Sequence, residues 1–317
     1  MQRILLSICL GAFALAVHAQ AFPSRVIKVV VPQPPGGGFD AVARTMAEPF
    51  SQQLGQAVIV ENRPGAGTIV GTEAVAKADP DGYTLLLGAS ANLALNPGLY
   101  KQLPYNPKDF KVVGLAATFS YTLVARNDLP FKSLREIVDH ARANPGKLTY
   151  ASGGNGTGQH IAAAVTFHLA GVNITHVPYK GAQAAYQDLI PGRVDMFFDN
   201  SATARSHIQN GRVKPIAVSA PQRISYHPDV PTVREAGVDF EQVTWVGYFA
   251  HGNTPAPVLA RLRDAFEKAM ATPEVPAALE KRGAFPMRVK ASEAEALVAS
   301  DIEKWTKLIR SAGISAD

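Results

Sequence analysis

The chain has 317 residues, a formal net charge of +5 from 31 basic and 26 acidic side chains, and a single cysteine. One cysteine permits no intrachain disulfide. The basic residues are scattered, without a stripe interleaved with aromatics, which argues against nucleic acid, while a mild positive excess suits an anionic small molecule.

Met1 to Ala21 read as a secretory signal peptide. Arg3 supplies the positive start, Ile4 to Val17 is almost wholly apolar, and Val17-His18-Ala19 and Ala19-Gln20-Ala21 both fit a cleavage site. The apolar run is shorter than the about 20 residues of a membrane span. Cys9 follows Ile8 rather than a small residue, so it is expected to leave with the leader instead of carrying a lipid. The expected location is the periplasm. About 295 residues then remain, enough for two lobes of typical domain size.

β-Branched residues from Ile27 to Val31 predict a strand, followed by the loop Pro32-Gln33-Pro34-Pro35-Gly36-Gly37-Gly38 and a helix from Asp40 to Leu54. Ala43, Met46, Ala47, Phe50 and Leu54 mark its apolar face, and Asp40 is placed to be its N-cap. Three glycines let the backbone approach a ligand, and the helix N-terminus favours an anion there. The bland alternative is a surface turn.

Val58 to Asn62 predict a second strand, Arg63-Pro64-Gly65-Ala66-Gly67 a turn, and Thr68 to Lys77 a helix of small residues. Tyr83 to Leu87 form a third strand that delivers Gly88-Ala89-Ser90-Ala91-Asn92 at its carboxyl end. This β-α-β-α-β order signals a mostly parallel sheet, whose ligands sit beyond the carboxyl ends of the strands. Val112 to Ala125 is a long apolar stretch that could carry the chain from one lobe to the other.

Ser133 caps a helix to Ala143. Leu148 to Ala151 then form a strand ending in Ser152-Gly153-Gly154-Asn155-Gly156-Thr157-Gly158-Gln159-His160 and a helix from Ile161 to Leu169. The strand, glycine loop, helix design thus occurs twice, and two such loops facing each other could hold the two ends of one anion. Ile174–Val177 and Met196–Phe198 read as strands, with helices at Ala182–Ile190 and from Ser201 to Asn210, then a strand at Pro215–Ser219. Val243 to Ala250 form a returning strand. Helices follow near Pro257–Ala271, Pro273–Arg282 and Ser292–Ala312, the last with a packing face.

Four positions admit two readings each. Gly88-Ala89-Ser90-Ala91-Asn92 looks like a nucleophile elbow, but Asn92 stands where the second glycine belongs, so a secreted serine hydrolase using Ser90 is the alternative to a ligand-contacting or capping serine. His160 could face the cleft or form structural hydrogen bonds. Asp199 reads as an N-cap or as an acceptor for a ligand hydroxyl, amine or amide. Tyr179 offers a phenol and a wall to the cleft, or is a half-buried strand-end residue. Neither glycine loop has a nucleotide fingerprint, and the dispersed histidines show no metal-binding pair, so no metal or cofactor is expected.

Several motifs together resemble one family: Pro34 to Asp40 with Ala43-Arg44; Glu61 to Gly67; Asp79-Pro80-Asp81-Gly82-Tyr83-Thr84-Leu85; Tyr150 to His160; and Val177-Pro178-Tyr179-Lys180-Gly181. In this order they resemble the substrate-binding proteins of tripartite tricarboxylate transporters, also called the Bug or TctC-like family, across the whole mature chain. The resemblance implies an α/β, two-lobed type II periplasmic binding protein of the Venus-flytrap kind. It also implies a carboxylate held in the cleft by the two loops, through backbone amides and water. On this reading residues 22–120 and 238–317 form one lobe and 121–237 the other. The expected ligand contacts are Gly37, Gly38, Phe39, Asp40, Ala89, Ser90, Asn92, Ser152, Gly153, Gly156, Thr157, His160, Tyr179 and Asp199, with no catalytic residue. Phe39 stands where the family often has a small or hydroxylated residue, which favours an apolar-bodied or aromatic acid over a hydroxyl-rich one. The expected partners are a small carboxylate and the membrane subunits of a transporter, with no nucleic acid, and the expected state is a monomer.

Overall fold

The computed structural model of the chain describes residues 22–225 and 227–316; the expected signal segment and Cys9 lie outside them. The elements in order are β1 Ile27–Val31, α1 Gly38–Leu54, β2 Val58–Asn62, α2 Ile69–Ala76, β3 Thr84–Ala89, α3 Asn96–Leu99, β4 Phe110–Ala125 and α4 Leu134–Ala143. Next come β5 Thr149–Ser152, α5 Gly158–Leu169, β6 Thr175–Pro178, α6 Ala182–Leu189, β7 Met196–Asn200, α7 Ser201–Gln209 and β8 Lys214–Val218. The chain closes with β9 Val243–His251, α8 Ala256–Ala271, α9 Glu274–Lys281, β10 Phe285–Pro286 and α10 Ala291–Ser311.

The strands join in the order β2-β1-β3-β9-β4-β7-β5-β6, with β8 and β10 also pairing to β4. β1 runs parallel to β2 (Val29 opposite Val60) and to β3 (Val29 opposite Leu85), as the sequence order predicts. Within β1 the side chains sort by period two. Ile27, Val29 and Val31 enter one core with Met46, Phe50, Tyr248 and Phe266, and Val30 enters the other with Val75 and Leu93. Both faces are therefore covered from Val29 onward, which is why the strand is apolar there and only Lys28, near its start, is exposed. Phe50 is fully buried, edge-on to Tyr248 and Phe266, so truncating it to alanine costs about 3–5 kcal/mol.

β4 is the element shared by both halves. Phe110 to Ser120 pair with β9, and Tyr121 to Ala125 pair with β7, with β8 joining from Thr122. The strand bulges between Val112 and Gly114 and again between Leu115 and Ala117. At Gly114 a Cβ would lie 2.2 Å from the Phe266 ring, so only glycine lets α8 pack onto this stretch. Two α/β halves thus share one long strand, as its apolar length led us to expect.

The structure differs from the sequence reading in places. Gly37, not Asp40, is the N-cap of α1, which starts two residues early because glycine tolerates the turn without a side-chain cap. Likewise Asn200 caps α7 by accepting from Ala202 N–H, and Asp199 belongs to β7. The segment after β3 is helical at Ala91–Leu95 and continues into α3, an arrangement its small apolar residues did not announce. Among the described residues, no helix is long and apolar enough to cross a membrane.

Candidate functional site

The first loop joins β1 to α1. Gly36 adopts φ +84°, which turns the chain so that the first helical turn faces outward. The N–H groups of Gly38, Phe39 and Asp40 have no acceptor among the described residues, and Gly37 brings no side-chain cap. They are the orphan donors of a helix N-terminus.

Asp40 stabilises this loop from within. Its Oδ2 accepts Gly36 N–H at 2.9 Å, its Oδ1 accepts Asn62 Nδ2 at 2.9 Å, and Arg44 Nε donates to both oxygens at 2.9 and 3.0 Å. Arg44 also reaches Asn62 Oδ1 at 3.1 Å. Burial pushes the Asp40 carboxyl up, but the donations from Arg44, Gly36 and Asn62 outweigh it and hold it below its ordinary value. Its side chain is therefore an internal tie, correcting its expected role as a cap. Phe39 is 7% accessible, with its ring tilted against Phe119 at 6.0 Å in the core around β1. Its main chain, rather than the expected stacking surface, lies at the loop.

Ala89, Ser90 and Asn92 follow β3. Asn92 Oδ1 accepts Ala89 N–H at 2.8 Å and its Nδ2 donates to Thr72 at 2.9 Å, all in the core. Ser90 Oγ accepts Trp245 N–H at 3.0 Å and is 2% accessible. These side chains brace β3 against α2 and β9. The hydrogen-bond partner of Ser90 is a backbone amide, not a histidine, so the nucleophile-base pair of a hydrolase is not assembled there.

The second loop joins β5 to α5. Thr157 is the N-cap, accepting His160 N–H at 3.3 Å while donating to Gly154 O at 2.8 Å. The N–H groups of Gly158 and Gln159 have no acceptor among the described residues. Gly153 is spent internally: its N–H donates to Gln159 Oε1 at 3.1 Å. Gly156 N–H lies 3.4 Å from His160 Nδ1, and Ser152 Oγ lies 2.7 Å from His176 Nε2. His160 stacks on His176, which stacks on Tyr150. Burial pushes His160 down to about 3, with His176 adding to it, and pushes His176 down to about 4. Both rings are neutral and support the loop from below.

Asp199 is fully buried. Its Oδ1 accepts Gln159 Nε2 at 2.7 Å and Asn200 N–H at 2.8 Å, and its Oδ2 accepts the Tyr186 hydroxyl at 2.9 Å. Burial raises it to about 7 against those three donors. Asp199 therefore acts through Gln159, a residue the sequence reading passed over although it stands in the first turn after a glycine loop. Tyr179 donates its hydroxyl to Asp188 at 2.9 Å. Burial and that contact push it up to about 12, and its hydroxyl proton is committed to α6.

β4 sets the distance between the loops. A Cβ on Gly38 would lie 3.4 Å from Phe119, and one on Gly158 would lie 2.0 Å from Tyr121 Oη. Phe119 and Tyr121 are two residues apart and so share one side of the strand, about 6.6 Å from each other. Gly38 also approaches Asn200 Nδ2, 3.8 Å from the position of its Cβ. Loop two meets the first half in turn, with the Cβ position of Gly156 3.2 Å from Tyr100 Oη and 3.7 Å from Asn96 Oδ1. Two sets of open N–H groups thus flank the strand where the halves join. Among the described residues, no cluster of three or more histidine, cysteine or acidic side chains is placed to hold a metal.

Residues 42–314 match the family described as tripartite tricarboxylate transporter family receptor. A protein from the tcbD-tcbE intergenic region of Pseudomonas sp. (strain P51) is 41% identical over 314 residues, covering 97% of this chain and 93% of that protein. The structure of the periplasmic binding protein BugD superposes with a TM-score of 0.82 at 34% identity, covering 92% of this chain and 99% of the other. MatC from Rhodopseudomonas palustris with bound malate gives 0.82 at 33% identity, covering 91% and 100%. The fold is accordingly the two-lobed α/β architecture of periplasmic binding proteins, as the motifs led us to expect. The chain belongs to the tripartite tricarboxylate transporter family of receptors.

Proposed function

We propose that the protein is a periplasmic receptor that closes its two lobes around a small dicarboxylate and presents it to the membrane subunits of a transporter. The observation that carries this reading is the pair of glycine-loop helix N-termini held over Phe119 and Tyr121. Backbone donors at a helix start suit a carboxylate, and charge-assisted hydrogen bonds are about twice as strong as neutral ones. One carboxylate takes the N–H groups of Gly38, Phe39 and Asp40. The other takes those of Gly158 and Gln159, with Ser152, Gly156, Thr157 and His160 shaping that end. The solved relative with bound malate supports the ligand class.

With its ring turned into the core, Phe39 does not select between an apolar and a hydroxylated body, so the preference drawn from it is withdrawn. The lobes are read as 22–120 with 238–317, and 121–237, because β4 changes partners between Ser120 and Tyr121. The leader-like start of the sequence supports export, and a monomer suffices for cleft closure. Binding is not followed by turnover, since Ser90 is committed to Trp245. A thermal-shift screen of succinate, malate, adipate and citrate tests the reading: diacids raise the melting temperature in proportion to ln(1 + [L]/Kd). A set of neutral sugars or cationic amines that does so while every acid fails contradicts it.

A further inference from the structure

We infer that capture of the dicarboxylate raises the proton occupancy of Asp199, so that ligand binding and partial proton uptake from solvent are coupled. The inference rests on the carboxylate reading above and deepens it.

Asp199 lies one hydrogen bond from the ligand's second seat, through Gln159, the residue whose own N–H is open there. It is fully buried, and every group that hydrogen-bonds to it is a neutral donor. The groups facing it can be taken element by element. From α5 comes Gln159; from α6, Tyr186; and from α7, His207, whose ring stacks on Tyr186 at 3.6 Å. From β4 come Thr122, opposite it in register, and Tyr121; Ser152 and His176, bonded to each other, lie on the other face of the sheet. His160, His176 and His207 are all pushed down by burial and so stay uncharged. Among the described residues no lysine or arginine pairs with Asp199, and Arg44 of α1 is bound to Asp40. Burial, opposed by its three hydrogen-bond donors, leaves Asp199 raised to about 7.

A carboxylate seated at Gly158 and Gln159 adds a second negative charge in this enclosed space. At about 8 Å in a partly polar interior it strengthens proton binding by on the order of ten-fold. By reciprocity the proton strengthens ligand binding by the same factor. Tyr186 can accommodate the proton, because its hydroxyl can turn from donor to acceptor.

The test is calorimetry of malate binding to the whole protein in buffers of different ionisation enthalpy, from pH 6.5 to 9, where both malate carboxylates are ionised. The expected result is a net uptake of about half a proton near pH 7.5 that fades on either side, with affinity falling about ten-fold in total across the range. Asp199→Asn is expected to bind with no uptake and a flat affinity profile. Should that variant not fold, Tyr186→Phe serves: loss of a donor raises Asp199 further and moves the uptake maximum to higher pH. Malate binding with no proton taken up overturns the inference and leaves the carboxylate reading intact. Uptake that keeps growing as the pH falls through 6.5 assigns the proton to His160 or His176 and also overturns it. Failure of malate, succinate and adipate to bind at any pH overturns both.

Discussion

The imidazole of His160 lies flat on that of His176, with ring centroids 4.2 Å apart and planes 15° from parallel. Two rings at this distance cannot both carry charge without mutual repulsion, and both are held below their unfolded value of 6.5. Their contribution to stability is therefore complete above pH 6.5 and is lost as the pH falls towards 4. His176→Gln is expected to flatten the fall of the melting temperature between pH 7 and 4, by on the order of 1–3 kcal/mol of acid destabilisation. Equal slopes in the two proteins refute the coupling of this stack to folding.

Gly158 begins α5 where a Cβ would stand 2.0 Å from Tyr121 Oη and 2.7 Å from its Cζ. Gly158→Ala forces either the helix start or the Tyr121 ring to move, at a cost of about 1–3 kcal/mol. Tyr121 also bonds Thr244 at 2.6 Å across the junction of the lobes, so the displacement reaches the cleft. Reduced malate affinity is expected, with partial recovery in Gly158→Ala/Tyr121→Phe, which removes the clashing oxygen. A double variant no better than the single one means the clash is not what limits binding.

Gly156 carries φ +76° and meets Tyr100 and Asn96 of the other lobe. Gly156→Val places methyl groups at that contact and adds about 1–2 kcal/mol of left-handed backbone strain. The lobes are then kept from full closure. Small-angle scattering with saturating malate should show a smaller radius of gyration than without it for the wild type, and a smaller change for the variant, whose affinity falls about ten-fold or more. An unchanged radius in the wild type at saturation contradicts lobe closure on the ligand.

Ser90 is buried beneath the end of β3 with Trp245 N–H as its donor. Ser90→Ala is expected to leave the rate of p-nitrophenyl ester hydrolysis unchanged, and should lower stability by about 1–2 kcal/mol through the orphaned amide. Ester turnover in the wild type that disappears in the variant restores the hydrolase reading.

Much of the fold was legible because its signals are local. The β-branched run Ile27–Val31, the two glycine loops and the 3.6-residue spacing of α1 and α10 each name an element without reference to the rest. The side-chain roles at the site were less legible, because they depend on partners far along the chain. Asp40 looked like a cap until Asn62 and Arg44 were seen to share its carboxylate. Tyr179 looked like a ligand donor until Asp188 was found within 2.9 Å. Gln159 drew no attention because nothing in its neighbours announces a buried carboxylate 40 positions later. Phe39 marked a departure in the motif, but sequence could not say which way its ring turned.

The central claim is that open N–H groups at two helix starts hold two carboxylates, and calorimetry of malate against its dimethyl ester tests it most directly. The two differ little in shape, and only the acid offers charge to those donors. The account predicts saturable one-to-one binding of malate or a longer diacid, with the matching diester bound at least about 100-fold more weakly. A diester that binds as tightly as its acid contradicts it.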